Sequence, residues 1–268
     1  MDQSERIDVN CLWGHWPFRH IPRARFADLV HDHTACGIRQ GYIASLNSIF
    51  YVDPLEGEAE LYEQVKGSAY RQVLTVNPLH QACQDIQFGI EHYQVAAVRI
   101  YPGYHGYRLL DPKVRVLLDF IGERSLPLFL PLRMEDERLD YLIRPRPVDL
   151  AELEGFLSVN PTRTIVLLNV RLAEIERLKP LIRTGQRIYV DTSGLKDQLF
   201  SVEKAVDAIG AGHILYGSLS PLYCLRSTVL SVALSALSPE QKQAIWSSNA
   251  AVMAAPKQQK HTLDHPFG

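Results

Sequence analysis

Eight short apolar runs, nearly all followed by a segment with helical periodicity, are the feature that most restricts how this chain can fold. Their residues are 7–12, 40–46, 72–76, 96–101, 128–132, 164–168, 188–191 and 213–216. The runs are continuously apolar rather than alternating, which is typical of strands buried on both faces. Strands separated by helices favour parallel pairing with helical crossovers. Eight such units in about 250 residues predict a single-domain α/β fold, the (β/α)8 TIM barrel.

An open, doubly wound sheet is the alternative architecture. No glycine-rich phosphate loop follows any early strand, which disfavours the nucleotide-binding form of that fold. The chain also shows no internal repeat and no linker that would divide it. We therefore expect residues 1–253 to form one barrel. Residues 254–268 are polar and contain proline, so we expect them to form a loose or partner-docked tail.

Charge and cysteine usage exclude several kinds of partner and site. A formal net charge of -2 gives no reason to expect nucleic acid or an anionic membrane as a partner. No apolar run approaches the roughly 20 residues of a membrane span, and residues 1–6 lead straight into a strand, so we expect no signal peptide. The four cysteines are widely spaced without a CxxC pair, which indicates reduced thiols in a cytoplasmic protein rather than structural zinc.

Functional side chains of such a barrel lie at the C-terminal ends of the strands, and residues two apart share a face. A charged Arg99 packed under helices would be costly, so Arg99 and Tyr101 are predicted to face the interior. The same alternation groups residues on the other strands. These are Asp8, Asn10 and Leu12 on the first, Phe129, Pro131 and Arg133 on the fifth, Asn169 and Arg171 after the sixth, Asp191 on the seventh, and Ser218 and Leu219 on the eighth.

Five short stretches resemble a known family in their order and spacing. They are IDVN at 7–10, PLFL at 127–130, IVLLN at 165–169, YVDTSG at 189–194 and YGSLSP at 216–221, with NA following at 249–250. Over nearly the whole chain they look like the amidohydrolase-related branch of the amidohydrolase superfamily. The resemblance implies a metal-dependent hydrolase or decarboxylase on a (β/α)8 barrel. It also implies metal ligands: an HxH pair on strand one, a His on each of strands five and six, and an Asp on strand eight.

This chain departs from that pattern at every ligand position. Carried over one by one, the ligands fall on Asn10, Leu12, Pro131, Asn169 and Leu219. Zinc binds imidazole nitrogen, thiolate or carboxylate, whereas leucine and proline offer no lone pair and an asparagine amide is a weak, uncharged ligand. We therefore expect no divalent metal at the family's usual place, and no other cofactor.

Several histidines are candidates for a metal ligand or a general base. His31-Asp32-His33 looks like a displaced metal motif, but on a helix residues two apart point to opposite sides, so we expect solvated or capping residues there. His15 and His20 follow the first strand, where a ligand role and a hydrogen-bonded loop histidine both stay open. His105 follows the fourth strand and is a candidate for the barrel mouth.

The charged residues above the barrel allow two interpretations. In one, Arg99, Arg133 and Arg171 hold an anionic ligand such as a carboxylate through guanidinium contacts. In the other, Arg99 and Arg133 pair with Asp8, Glu135 or Asp191 and fill the space of the missing metal. The aromatic loop at residues 13–19 is similarly open. It could form a lid or substrate wall, or pack on a second subunit, and together with the tail it suggests a homodimer.

Two functions follow from these alternatives. The first is an amidohydrolase-like hydrolase or decarboxylase that acts, without the usual metal, on a small organic acid or amide, with Asp191, Glu135 or His105 as acid or base. Its substrate, a small and anionic molecule, would contact residues at the strand ends. These are Arg99, Arg133, Asn169, Arg171, Asn10, Tyr101 and His15. The second is a catalytically inactive barrel that binds a small molecule or another subunit.

Overall fold

Eight parallel strands pair in chain order around a barrel, and each lies within two residues of its predicted place at both ends. The computed structural model describes residues 5–135, 145–184 and 187–254. The strands are β1 (Arg6–Trp13), β2 (Ile38–Ser45), β3 (Tyr70–Thr75), β4 (Val95–Arg99), β5 (Leu128–Pro131), β6 (Ile165–Leu168), β7 (Ile188–Asp191) and β8 (Ile214–Leu215). Backbone hydrogen bonds from Val9 to Tyr216 (2.9 Å) and from Leu219 to Asn10 (2.7 Å) join β1 to the residues after β8. The sheet therefore curls into a barrel, and the open-sheet alternative is wrong.

Helices connect the strands and surround the sheet. They are α1 (Phe26–Ala35), α2 (Pro54–Val65), α3 (Ala82–His92), α4 (Pro102–His105), α5 (Pro112–Glu123), α6 (Leu150–Ser158), α7 (Leu172–Thr184), α8 (Ser201–Ile209), α9 (Leu225–Ala233), α10 (Pro239–Gln243) and α11 (Asn249–Ala254). The Asp149 carboxylate accepts from the Ala151 backbone N–H and caps α6. Asp53 caps α2 in the same way, by accepting from the Leu55 N–H.

Apolar side chains form two concentric layers. Ala97, Phe129 and Val166 belong to a cluster inside the barrel, whereas Val98, Leu130 and Leu167 pack between the sheet and the helices. Residues of both layers alternate along each strand because successive side chains point to opposite faces. Tyr101 belongs to the inner cluster, so the predicted inward orientation of the Arg99 and Tyr101 face is confirmed.

The predicted grouping of Asp8 with Asn10 and Leu12 is wrong. Between the pairs Asp8–Gly41 and Cys11–Ile43, β1 advances three residues while β2 advances two, so β1 contains a bulge. The extra residue turns Asp8 outward, where its carboxylate lies 3.3 Å from Nε2 of His33 on α1. Asp8 also accepts hydrogen bonds from the Ser218 N–H and hydroxyl, so it fastens β1 to the chain that follows β8.

His33 is fully buried, so the solvated or capping role predicted for the His31-Asp32-His33 motif is wrong at this residue. Its Nδ1 lies 2.8 Å from the Tyr70 hydroxyl. The motif is thus structural, because the His33 ring links α1 to β1 and β3. Within the described ranges, none of the helices is long and apolar enough to cross a membrane. Residues 255–268 lie outside the description, so the proposed division at residue 253 stays a prediction.

Candidate functional site

Three of the predicted site residues meet through hydrogen bonds at the C-terminal end of the barrel. Arg99 Nη1 donates to Asn10 Oδ1 at 2.9 Å, and Asn10 Nδ2 donates to Asp191 Oδ2 at 2.7 Å. Arg99 is 1% exposed, and Asn10 and Asp191 are 0% exposed. A neutral amide thus bridges a buried guanidinium and a buried carboxyl group. We expected direct ion pairs between arginines and carboxylates to fill the space of the missing metal. Here the Asn10 amide lies between Arg99 and Asp191 and bonds to both.

Burial changes the acidity of both charged ends of this bridge. It raises the pKa of Asp191 to about 6, although hydrogen bonds from Asn10, Ser193 and the Asn169 N–H oppose the change. Burial also lowers the pKa of the Arg99 guanidinium, which stays a cation because the ordinary value is so high. Asp191 can therefore exchange a proton near neutral pH, whereas Arg99 supplies a fixed positive charge.

Asn169 holds neighbouring loops together. Its backbone adopts the left-handed region with φ of 55°, and its N–H donates to Asp191 Oδ1 at 2.7 Å. Its side-chain Nδ2 donates to the Arg133 carbonyl at 3.0 Å and to the Tyr223 hydroxyl at 3.1 Å. The structure therefore places Asn169 beside the site, with its amide N–H groups engaged by the protein.

Arg133 pairs with Glu174, a residue that the sequence interpretation did not select. Both terminal nitrogens of Arg133 contact the Glu174 carboxylate, and Nη1 also donates to the Asn169 carbonyl at 2.6 Å. Glu174 Oε2 in turn accepts from the Arg171 N–H at 2.8 Å. The sequence could have pointed to Glu174, because acidic residues are favoured in the first turn of a helix and Glu174 lies in the first turn of α7.

Loops after β1 and β5 are tied across the mouth by a second ion pair. Arg19 Nε donates to Glu135, and Arg19 Nη2 donates to the Leu222 carbonyl. One guanidinium thus joins the chain after β1 to the chains after β5 and β8. Glu135, predicted as an acid or base, is therefore paired with a cation that the sequence interpretation did not name.

An aromatic roof, formed by Trp16, Phe18, Phe50 and Tyr104, packs over the side of the mouth near β1 and β4. The rings meet edge to face, with centroids 5.1 Å apart for Trp16–Phe18 and 6.2 Å apart for Trp16–Tyr104. Trp16 is 1% exposed. This loop therefore packs within its own chain, which favours its role as a wall of the substrate site. Trp16 is too buried to contact a second subunit.

Of the candidate histidines, His15 and His20 are exposed, whereas the His105 ring packs beside Tyr101 with centroids 6.1 Å apart. His15 is exposed, and its backbone N–H donates to Asn47 at 2.7 Å. His105 Nε2 lies 3.0 Å from the Ile49 carbonyl, and burial lowers the pKa of its ring. A neutral imidazole bonded to a loop carbonyl is typical of a structural histidine.

A cavity of about 270 Å³ opens at the C-terminal end, beside the barrel axis and between the loops that follow β4, β5 and β6. Tyr101, Pro131 and Met134 line its inner part. Charged and aromatic side chains surround the rest. These include Tyr104, Arg133, Glu135, Arg146, Arg171 and Glu174. The structure thus brings Arg133, Glu135, Arg171 and Tyr101 together around one space, whereas Arg99 lies behind Met134.

The five positions of the family's metal ligands do not provide a metal site. Leu12 and Leu219 are buried in the inner apolar cluster, and Pro131 is part of β5. Asn10 and Asn169 have their amide groups bonded to protein partners. Across residues 5–135, 145–184 and 187–254, no three His, Cys, Asp or Glu side chains gather as a metal ion would require. This donor set does not fit the family's metal.

No protein-family model and no curated protein matches the sequence. Solved structures do match the fold. A dihydroxybenzoic acid decarboxylase from Polaromonas with bound manganese superposes with a TM-score of 0.73 at 13% identity, covering 94% of this chain and 97% of that one. A manganese complex of 5-carboxyvanillate decarboxylase from Novosphingobium aromaticivorans gives 0.74 at 12%, covering 94% and 97%. A Staphylococcus aureus protein classed as an amidohydrolase gives 0.72 at 10%, covering 93% and 99%.

These likenesses span both chains almost completely, so the common part is the whole barrel and not a single βα unit. Identities this low carry over the architecture and leave the chemistry to the residues of each site. The chain therefore shares its (β/α)8 barrel with these decarboxylases and with the Staphylococcus aureus protein.

Proposed function

We propose that this protein is an amidohydrolase-type hydrolase or decarboxylase that acts on a small organic acid or amide without a divalent metal. The observation that carries the proposal is the cavity of about 270 Å³ at the C-terminal end of the barrel, lined by three arginines and two tyrosines. Such barrels place their chemistry at this end. A neighbour in fold, 2,6-dihydroxybenzoate decarboxylase, was solved with an aromatic acid bound.

The residues around the cavity divide into binding and proton-transfer roles. Arg133, Arg171 and Tyr101 border the cavity, and their N–H and O–H groups suit an anionic ligand. Glu135 is the acid or base that borders the cavity. In a decarboxylation Glu135 would take a proton from solvent and give it to the carbon that keeps the electron pair of the broken C–C bond as carbon dioxide leaves, and its carboxylate would then re-form the pair with Arg19. Asp191, beneath Asn10, and His105, bonded to a loop carbonyl, would have to act from a greater distance.

A non-catalytic binding module is the second candidate, and one feature favours it specifically. The barrel axis is occupied by the buried Arg99–Asn10–Asp191 bridge and is covered in part by the aromatic roof. Such a barrel could keep a small-molecule site beside the axis after losing its chemistry. The cytoplasmic location and the homodimer remain predictions from the sequence.

Ligand binding can be tested by thermal unfolding with a panel of small acids. Benzoate, salicylate and 2,6-dihydroxybenzoate are each compared with uncharged benzamide. An acid present at one hundred times its dissociation constant should raise the free energy of unfolding by about 2.7 kcal/mol, because only the folded chain binds it. Arg133→Ala should abolish this gain.

Arg177→Ala is the matched control. Arg177 forms the same two-pronged contact with a glutamate, Glu154, but lies on α7 at the surface and outside the cavity. We expect the acid-induced gain to survive this change. If no acid of the panel stabilises the unaltered protein, or if both arginine variants respond alike, the cavity is not the anion site.

Metal content gives an independent test. We expect protein purified without a chelator to contain neither zinc nor manganese in a stoichiometric amount, because leucine, proline and bonded amides occupy the ligand positions. Its melting temperature should also stay unchanged in EDTA. A tightly held ion in elemental analysis would contradict this, and His15 and His105 would then be the first ligands to examine.

A further inference from the structure

Two neighbouring buried polar groups lie at and behind the inner wall of the cavity, which Tyr101 and Met134 form. They are Nε of Arg99 and the hydroxyl of Tyr101, and neither has a hydrogen-bond partner among the described residues. The Tyr101 hydroxyl lies beside the Arg99 guanidinium and the Thr75 hydroxyl, but without the geometry of a hydrogen bond to either. Thr75 Oγ1 is unpartnered in the same way. Buried donors are nearly always satisfied, so a pair of them beside one space calls for an acceptor.

Met134 separates Arg99 from the cavity. It is 2% exposed, lines the cavity, and its Sδ accepts from Arg99 Nη2 at 3.6 Å. A thioether is a weak acceptor, and the unbranched methionine side chain moves easily between rotamers. The only strong bond of this guanidinium within the described chain is the one to Asn10. A ligand oxygen in place of the sulfur would therefore form a stronger hydrogen bond with Arg99.

We infer that Arg99 and Tyr101 form an inner subsite for the carboxylate of the ligand, and that the Met134 side chain moves aside to admit it. The inference rests on the proposed ligand cavity and names the substrate class: a small monocarboxylic acid. Arg99 presents only donors toward this point and the Tyr101 hydroxyl can donate its proton, whereas a carboxylate presents only acceptors in a plane that matches a guanidinium.

Nearby negative charge distinguishes a carboxylate from a phosphate. Asp191 is one amide away from Arg99, and Glu135 and Glu174 border the cavity. At the inner end Arg99 is the buried cation, and Arg133 in the outer cavity is already paired with Glu174, so a monoanion balances the charge of Arg99 and a dianion exceeds it. The body of the acid would lie in the outer cavity, whose volume near the lower end of ligand sites suits a small ring beside Tyr104.

Tyr101→Phe tests the subsite with two readouts. The change removes only the hydroxyl, so we expect the dissociation constant of benzoate to rise about tenfold, as for a hydrogen bond to a charged group. Without ligand, the melting temperature should stay the same or rise, because a buried hydroxyl lacking a partner is lost. A merely structural tyrosine would not weaken binding while the unliganded protein stays intact.

Tyr107→Phe is the matched control. The Tyr107 hydroxyl is also buried and lies beside the Tyr101 backbone without the geometry of a hydrogen bond to the described residues, but it does not line the cavity. Its loss should leave the affinity for benzoate unchanged. Met134→Ala should speed the association of benzoate about tenfold in stopped-flow measurements, because the side chain that must move is gone.

The outcomes separate the inference from the proposed function. Benzoate binding that is lost in Arg133→Ala but unchanged in affinity by Tyr101→Phe and in rate by Met134→Ala would overturn the subsite and leave the cavity proposal standing. Failure of every acid to bind the unaltered protein would reject both. Phenylphosphonate binding as tightly as benzoate, with the same loss in Tyr101→Phe, would overturn the assignment to carboxylates.

Discussion

Replacing Asn10 by leucine should lower the free energy of unfolding by about 3–5 kcal/mol, the cost of leaving a buried charge without its partner. The Asn10 amide is the group that connects Arg99 with Asp191, and all three side chains are buried. Leucine has a similar size but offers neither a donor nor an acceptor. Urea unfolding at pH 7, with the slope of the transition compared between variants, measures the change.

Asn160→Leu is the control for Asn10→Leu. Asn160 is half-buried, and its Nδ2 donates to the Phe156 carbonyl at 2.7 Å, a neutral partner. Its loss should cost only about 1 kcal/mol, as for an ordinary hydrogen bond. Equal losses in the two variants would show that the bridge between Arg99 and Asp191 contributes nothing beyond a single neutral contact.

Raising the pH from 4.5 to 8 should destabilise the protein, and Glu58 should account for about 3 kcal/mol of the loss, at 1.36 kcal/mol per pH unit of its altered pKa. Glu58 on α2 is fully buried, and burial raises its pKa to about 7 despite hydrogen bonds from Gln72 and the Thr75 N–H. The folded chain therefore binds a proton more tightly than the unfolded chain. Stability is greatest below the unfolded pKa and falls as the pH rises through 7.

Glu58→Gln isolates this contribution. Glutamine resembles the protonated glutamate, so the variant should match the unaltered protein at pH 4.5 and exceed it in free energy of unfolding at pH 8. Asp191, whose pKa burial raises to about 6, should retain a smaller fall in the same direction. Glu154 is a comparison of opposite sign to Glu58, because the hydrogen bond with Arg177 lowers the pKa of Glu154. A Glu58→Gln variant that runs parallel to the unaltered protein across this range would show that Glu58 is charged at all these pH values.

The patterns in the sequence were sufficient for the barrel and for part of the site. Continuous apolar runs located all eight strands because burial on both faces leaves a local signal. Arg99 on β4 pointed inward because alternation fixes the face of every residue once one is assigned. The ligand positions at Leu12 and Leu219 were identified because they lie next to family-like stretches, and both pack in the inner apolar cluster.

Other features depended on contacts between distant parts of the chain. The β1 bulge turned Asp8 outward, because register is set by the pairing with β2 and not by β1 itself. Arg133 pairs with Glu174, and Arg19 pairs with Glu135, which lies 116 residues further along the chain. These pairs form because barrel closure brings the loops after the strands to one end. The cavity and the unpartnered Arg99 and Tyr101 groups exist only in that arrangement. The sequence by itself determined the strands and which residues reach the mouth, since periodicity is local. The tertiary structure decided which charges pair and which stay exposed to a ligand, since those depend on three-dimensional distance.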